Sequence, residues 1–445
     1  MKNVFIKIGV IALLSANQSF AQDTQPTSVI SAPKWTKNAT IYEVNIRQYT
    51  PEGTFKAFEA HLPRLQKMGV DILWLMPVNP IGELNRKGGL GSYYAVKDYK
   101  AVNPKFGTDD DFQSLINAAH ALGIKVIIDW VANHSSPDNR WIEEGHLDWY
   151  TLDSLGHVQP TIGTDWYDVA DLNYDSKEMR TEMISSMKYW VTKFDIDGFR
   201  CDVADWVPVD FWNDARKELD QVKPVFMLAE AENPQHHVAA FDMSYGWNFH
   251  HIMNEVAKGK MNAADIKKYL ILDELQFPSN AMRMQFTSNH DENSWNGTEM
   301  ERMGTALEAL AALTYCVDGM PLIYSGQETS LSKRLLFFEK DTILWDKMDK
   351  VDFYTKMNRL KAENKALENG ANAGETEFIN ELCTNQVLVF QRKKGCNTVT
   401  CVFNLSPNAQ TLSGNLPKKS GKVFISNDAT GSNTLAPWSY RIYTK

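Results

Sequence analysis

The chain has 445 residues, room for one large domain and a smaller companion. Its formal charge is −9, or −11 once Lys2 and Lys7 are removed with a leader, a balance that disfavours nucleic acid and anionic membranes as partners and suits a neutral polymer. Five cysteines, at 201, 316, 383, 396 and 401, are too few and too scattered for a disulfide framework, and metal-binding spacings such as C-x-x-C are absent.

In chain order, Lys2 and Lys7, the apolar run Ile8 to Leu14 and Ser19-Phe20-Ala21 before Gln22 read as a signal peptide, residues 1–21. The run is well short of the roughly 20 residues needed to span a bilayer, so an exported, periplasmic or secreted protein is expected. A polar linker, residues 22–34, follows. Apolar runs then alternate with segments of helical period, the pattern of a parallel β/α architecture. The strands expected are Ile41–Ile46, Ile72–Met76, Ile124–Asp129, Asp197–Arg200, Val225–Leu228, Phe241–Ser244, Met284–Thr287 and Pro321–Tyr324. Amphipathic helices are expected over Phe55–Met68, Asp109–Leu122, Lys177–Phe194 and Glu299–Cys316. Eight such units close a TIM (β/α)8 barrel, here residues 35–368.

After the third strand, residues 135–170 lack a strand or helix period and are rich in Trp, Tyr, Asp and Gly; a loop of that length in a compact domain usually carries function. From residue 369 to 445 the pattern changes to Val387–Arg392, Thr398–Leu405, Lys422–Ser426 and Ser439–Thr444 separated by turn residues, an antiparallel β-domain. Cys201 and Cys316 fall in apolar barrel segments as small core residues. A bridge from Cys383 to Cys396 or Cys401 is left open.

Four segments end in polar residues just past predicted strands: Asp129-Trp-Val-Ala-Asn133-His134, Gly198-Phe-Arg200-Cys-Asp202, Leu228-Ala-Glu230 and Ser288-Asn-His290-Asp291. In a parallel barrel that end is the catalytic rim. Singly, each acid has a structural explanation: Asp202 as a same-face partner of Arg200, Glu230 as a helix cap, His134 or His290 as a core histidine. Together they deliver three acids, two histidines and an arginine to one rim.

These segments resemble the four signature regions of the α-amylase superfamily, glycoside hydrolase family 13. Gly91-Ser-Tyr-Tyr94 leading to Asp98-Tyr99, Ala170-Asp171-Leu-Asn173 and Pro321-Leu-Ile-Tyr-Ser-Gly-Gln327-Glu328 extend the likeness over nearly the whole chain. The resemblance implies Asp202 as nucleophile, Glu230 as acid and base, and Asp291 as the third acid. It places Tyr94, His134, Arg200 and His290 around the sugar at the cleavage point. Trp166, Trp206 and Trp295 are further stacking candidates.

The calcium ligands of the family are matched only by Asn133 and Asp171. Trp206, after Asp205, stands where a histidine ligand is expected, and Asp165 and Asp168 are the remaining oxygen donors. No cofactor is therefore required, with calcium as the one ion in question. The reading is a retaining hydrolase of α-1,4 bonds in starch or malto-oligosaccharides. Val203 after the nucleophile leaves α-glucosidase, oligo-1,6-glucosidase, cyclomaltodextrinase and glucan transferase as alternatives. A non-catalytic carbohydrate-binding protein is a third, opposed by the three retained acids. Oligomeric state is left open.

Overall fold

The structure, a computed structural model, describes residues 26–417, 420–428 and 432–445. The signal peptide expected at residues 1–21 lies outside the described residues. Among the described residues no helix is long and apolar enough to cross a membrane.

Eight parallel strands close a barrel: β1 (Ile41–Val44), β2 (Ile72–Leu75), β3 (Lys125–Trp130), β4 (Gly198–Cys201), β5 (Phe226–Ala229), β6 (Met243–Tyr245), β7 (Met282–Gln285) and β8 (Met320–Tyr324). Each pairs with its sequence neighbours, and β8 returns to β1. All eight expected strands are present, with ends shifted by a few residues. Ile46 is a correction: β1 stops at Val44 and Ile46 opens a short helix, Ile46–Tyr49. The Phe55–Met68 segment is two helices, Phe55–Glu59 and Leu62–Met68, the second starting with Pro63 in its first turn. Glu299–Cys316 is likewise broken at Gly304, whose φ is 53°.

Strand periodicity explains how an apolar barrel carries a polar rim. Alternate residues face the barrel axis. Ile41, Ile72, Trp74, Ile127, Phe226, Leu228, Met243, Met284, Met320 and Leu322 form one interior cluster. Two residues further along three of these strands, the same inner face carries Glu43, Asp129 and Glu230. The other face, including Val126, Ile128, Phe199, Cys201 and Met227, packs on the surrounding helices. Gly198 is required by a close approach: a Cβ there would stand 1.9 Å from the Phe226 carbonyl oxygen on β5.

The insert after β3 is closed by a two-residue ladder, His134–Ser135 against Ala170–Asp171, so both its ends return to the rim. Beyond the barrel, β9 (Glu375–Phe378), β10 (Val387–Lys394), β11 (Asn397–Asn404), β12 (Lys422–Ser426) and β13 (Tyr440–Thr444) form an antiparallel sheet in the order β9-β10-β11-β13-β12. Its Leu388, Phe390, Cys401, Phe403 and Ile442 face joins the main core; Val387, Val389 and Val402 face a smaller core with Leu412 and Leu435. All five cysteines are free, so the bridge left open from Cys383 is absent; its Sγ instead donates to the Val389 carbonyl at 3.3 Å.

Candidate active site

The C-terminal ends of the strands surround a cavity of about 600 Å3 lined by Tyr94, His134, Asp202, Glu230, His290 and Asp291, with Trp166, Trp295, Phe337 and Phe338 in its walls. The sequence-predicted acids and histidines therefore converge. Two of the predicted sugar contacts sit elsewhere. Arg200, expected to contact substrate, has no exposed surface; it lies beneath the acids because residue 200 points to the barrel axis below the rim. Trp206 is half-exposed outside the cavity lining and stacks on Trp166, with ring centroids 5.3 Å apart.

Arg200 organises the charge. Its Nη1 donates to Asp129 Oδ1 at 2.8 Å and to Asp202 Oδ1 at 2.9 Å, its Nε donates to the Tyr245 hydroxyl at 3.0 Å, and Nη2 stands 2.9 Å from Glu230 Oε2. The last contact is a charge contact without hydrogen-bond alignment, since Nη2 has no hydrogen-bond partner. Glu230 instead accepts a bond from the Val203 backbone N–H at 2.8 Å. Val203 holds φ at 36°, a strained conformation for a β-branched residue, and that turn aims its N–H at the carboxylate.

Burial pushes the Asp202 and Glu230 carboxyls up, Arg200 pulls both down, and neighbouring carboxylates add to the rise. Such a pair titrates together. Asp202 receives the aligned charge-assisted bond from Arg200, which favours its ionised form, while Glu230 meets the guanidinium without that alignment.

Tyr94 forms the cavity floor. Its hydroxyl donates to Asp129 Oδ2 at 3.0 Å and meets His290 Nε2 at 2.7 Å. His290 Nδ1 in turn lies 2.6 Å from Glu43 Oε1, and its Nε2 is 3.2 Å from Asp291. Burial lowers the His290 pKa, but the Asp291 and Glu43 carboxylates outweigh it and push the imidazole up to about 9. His134, without such partners, is pushed down to about 3 by burial and is neutral. One cavity-lining histidine is thus cationic and the other neutral.

Sequence reasoning missed Glu43 and the anchoring role of Asp129. A glutamate inside Ile41-Tyr-Glu-Val44 was the available signal, because an acid in an otherwise apolar barrel strand needs a buried partner.

The residues present do not fit calcium. Thr161 Oγ1 accepts from Asn133 Nδ2 at 3.0 Å and donates to Asp171 Oδ1 at 2.9 Å, while Thr151 donates to Asp171 Oδ2 at 2.8 Å. Both Asp171 oxygens are taken by hydroxyls. Asp168 is paired with Lys87 at 3.1 Å. Among the described residues no group of three or more His, Cys, Asp or Glu side chains is arranged to hold a metal ion.

The family model for the α-amylase catalytic domain matches residues 17–373. The chain is 26% identical over 397 residues to an α-amylase of Haloarcula japonica and 28% identical over 421 residues to a cyclomaltodextrin glucanotransferase of Niallia circulans, matches that cover 86% and 84% of this chain. It spans 57% of the length of each of those relatives. The solved α-amylase of Lactobacillus plantarum superposes with a TM-score of 0.81 at 30% identity, over 92% of this chain and 99% of that one. With its closed barrel and converging rim acids, the chain belongs to the α-amylase catalytic-domain family.

Proposed function

We propose that the protein is a retaining α-glucan hydrolase acting on α-1,4 bonds of malto-oligosaccharides and starch. The observation that carries this is one buried guanidinium holding two carboxyl groups, Asp202 and Glu230, at 2.9 Å each. Retention needs two carboxyls about 5–5.5 Å apart, whereas inversion needs a wider gap that admits water. Asp202 attacks the anomeric carbon of the sugar lying on Tyr94; Glu230 protonates the departing oxygen and then deprotonates the water that releases the glycosyl group. Asp291 and the cationic His290 grip hydroxyls of the reacting ring as positive charge develops.

Transfer to a second sugar is the competing reading. The stacked Trp166–Trp206 pair favours it, because Trp166 lines the cavity and the half-exposed Trp206 beside it offers an aromatic face for an acceptor ring. A product time course on starch, maltotriose, isomaltose and cyclodextrin tests both. Shortening products from the α-1,4 substrates support hydrolysis; products longer than the substrate support transfer; inertness on all α-1,4 substrates overturns both. The leader-like residues 1–21 support an exported enzyme, and the hydroxyl-saturated Asp171 supports activity without a cofactor.

A further inference from the structure

The hydroxyls around Asn133 and Asp171 form a network with a direction. Asp171 Oδ1 accepts from Thr161 Oγ1 at 2.9 Å, and Asp171 Oδ2 accepts from Thr151 Oγ1 at 2.8 Å. A carboxylate only accepts, and a threonine hydroxyl carries a single proton. Thr161 therefore directs its proton at Asp171 and turns its lone pairs to Asn133, whose Nδ2 lies 3.0 Å away. The group that Asn133 presents there must be its NH2, so the orientation of this amide follows from the carboxylate two bonds further along. The second proton of that NH2 goes to His134 Nδ1, 3.1 Å from the nitrogen.

The chain of bonds ends at the cavity. His134 Nδ1 accepts, so the ring proton sits on Nε2. His134 is buried and lines the cavity with Tyr94, Asp202 and Glu230, and among the described residues no group bonds its Nε2. That N–H is a donor left for a sugar hydroxyl. The opposite tautomer would set an Nδ1–H against the Asn133 NH2, two donors facing each other, and would turn an acceptor to the sugar instead. Backbone contacts brace the same unit: the Leu172 N–H donates to the Asn133 carbonyl at 3.1 Å, the Tyr99 hydroxyl donates to the His134 carbonyl at 2.8 Å, and His134 faces Asp171 across the ladder that closes the insert. Thr161 belongs to the middle of that insert, so the way the insert folds back decides which end of the Asn133 amide the histidine meets.

We propose that Thr161 is a positioning residue: with Asp171 it fixes the direction of the hydrogen bonds leading to His134 and holds the imidazole as the Nε2–H tautomer that donates to a hydroxyl of the bound sugar. The proposal rests on the hydrolase reading for its sugar and adds how the insert prepares the site.

The test is NMR of protein labelled with 15N-histidine, in EDTA at neutral pH, with the His134 signals identified by their loss in His134→Gln and activity on maltoheptaose measured in parallel. Wild-type His134 should show a protonated Nε2 and an unprotonated Nδ1. Thr161→Val frees the Asn133 amide to turn, so both nitrogen shifts should move toward a mixture of tautomers and kcat/KM should fall about tenfold. Thr161→Ser, which keeps the hydroxyl, should return both to near wild type; a threonine that only braced the fold would not move the tautomer. An active wild type whose His134 carries its proton on Nδ1 would overturn the proposal alone. So would a Thr161→Val variant, folded by its melting curve, with wild-type His134 shifts. Should Thr161→Val not fold, Asp171→Asn decides: it lets residue 171 donate, removes the fixed direction and should shift the His134 signals, and unchanged signals would overturn the proposal. Failure of the wild type to cleave maltoheptaose would overturn the hydrolase reading and the donation to sugar with it.

Discussion

Glu43 Oε1 lies 2.6 Å from His290 Nδ1, both side chains buried, so the first barrel strand supplies the counter-charge for a histidine that follows the seventh. The contact begins a chain that runs through the Tyr94 hydroxyl and Asp129 to Arg200, and from there to Asp202 and Glu230. Charge at the rim is set from inside the barrel.

This relationship predicts a pH dependence. The His290 pKa is raised to about 9 in the folded chain from an ordinary 6.5. A raised pKa gives a stabilisation that is complete below the unfolded value and is lost as pH climbs through the folded one. Thermal melts of the wild type should therefore decline between pH 6.5 and 9, and His290→Gln should flatten that decline. Glu43→Gln removes one of the carboxylates that raise the imidazole, so the alkaline limb of kcat/KM should move to lower pH. An alkaline limb unmoved in Glu43→Gln would count against the assignment.

The two acids should behave as a pair of distinct roles. Asp202→Asn and Glu230→Gln keep size and remove ionisable chemistry, so each should lower kcat by several orders of magnitude with circular dichroism unchanged. A folded variant retaining more than about a tenth of wild-type kcat, a loss below 1.36 kcal/mol, would remove that residue from the mechanism. Azide should restore turnover to a Glu230 variant and not to Asp202→Asn.

Calcium removal should have little effect. The Thr161 hydroxyl already joins Asn133 to Asp171, so EDTA should leave most activity and cost only a few degrees of Tm, a bound ion adding RT ln(1 + [L]/Kd) at most. Thr161→Val should cost more than the chelator does, about 1–3 kcal/mol, because it leaves part-buried polar groups without partners. Reversible inactivation by EDTA, restored by calcium, would show that the ion displaces this hydroxyl network.

Gly198→Ala tests the barrel itself. The added methyl would collide with the Phe226 backbone, which belongs to a paired strand and cannot move alone. Destabilisation of about 4 kcal/mol or more is expected, the range reserved for named steric or packing faults. A denaturation midpoint close to wild type would mean that β4 and β5 stand further apart than described.

Much of this was legible in the sequence because each strand presents apolar residues to two faces, so buried runs stand out, and because the rim acids follow those runs directly. Glu43 was not legible in the same way: its partner His290 is 247 positions away, and nothing local signals that pairing. Alternation on the strand made Arg200 legible as the partner of Asp202, and the two meet at 2.9 Å; its complete burial beneath the acids, away from substrate, depends on the barrel closing around it. The edge strand Glu375–Phe378 was overlooked because its polar residues bury little. Thr161 reads as one of several polar loop residues until the insert folds back and sets its hydroxyl between Asn133 and Asp171.

The central claim, a covalent glycosyl intermediate on Asp202, is tested most directly by NMR of the first products released from a malto-oligosaccharide, before mutarotation. Two displacements at the anomeric carbon require the α-anomer to appear first. Initial release of the β-anomer would contradict the account, since a single displacement needs a water between carboxyls that Arg200 holds together.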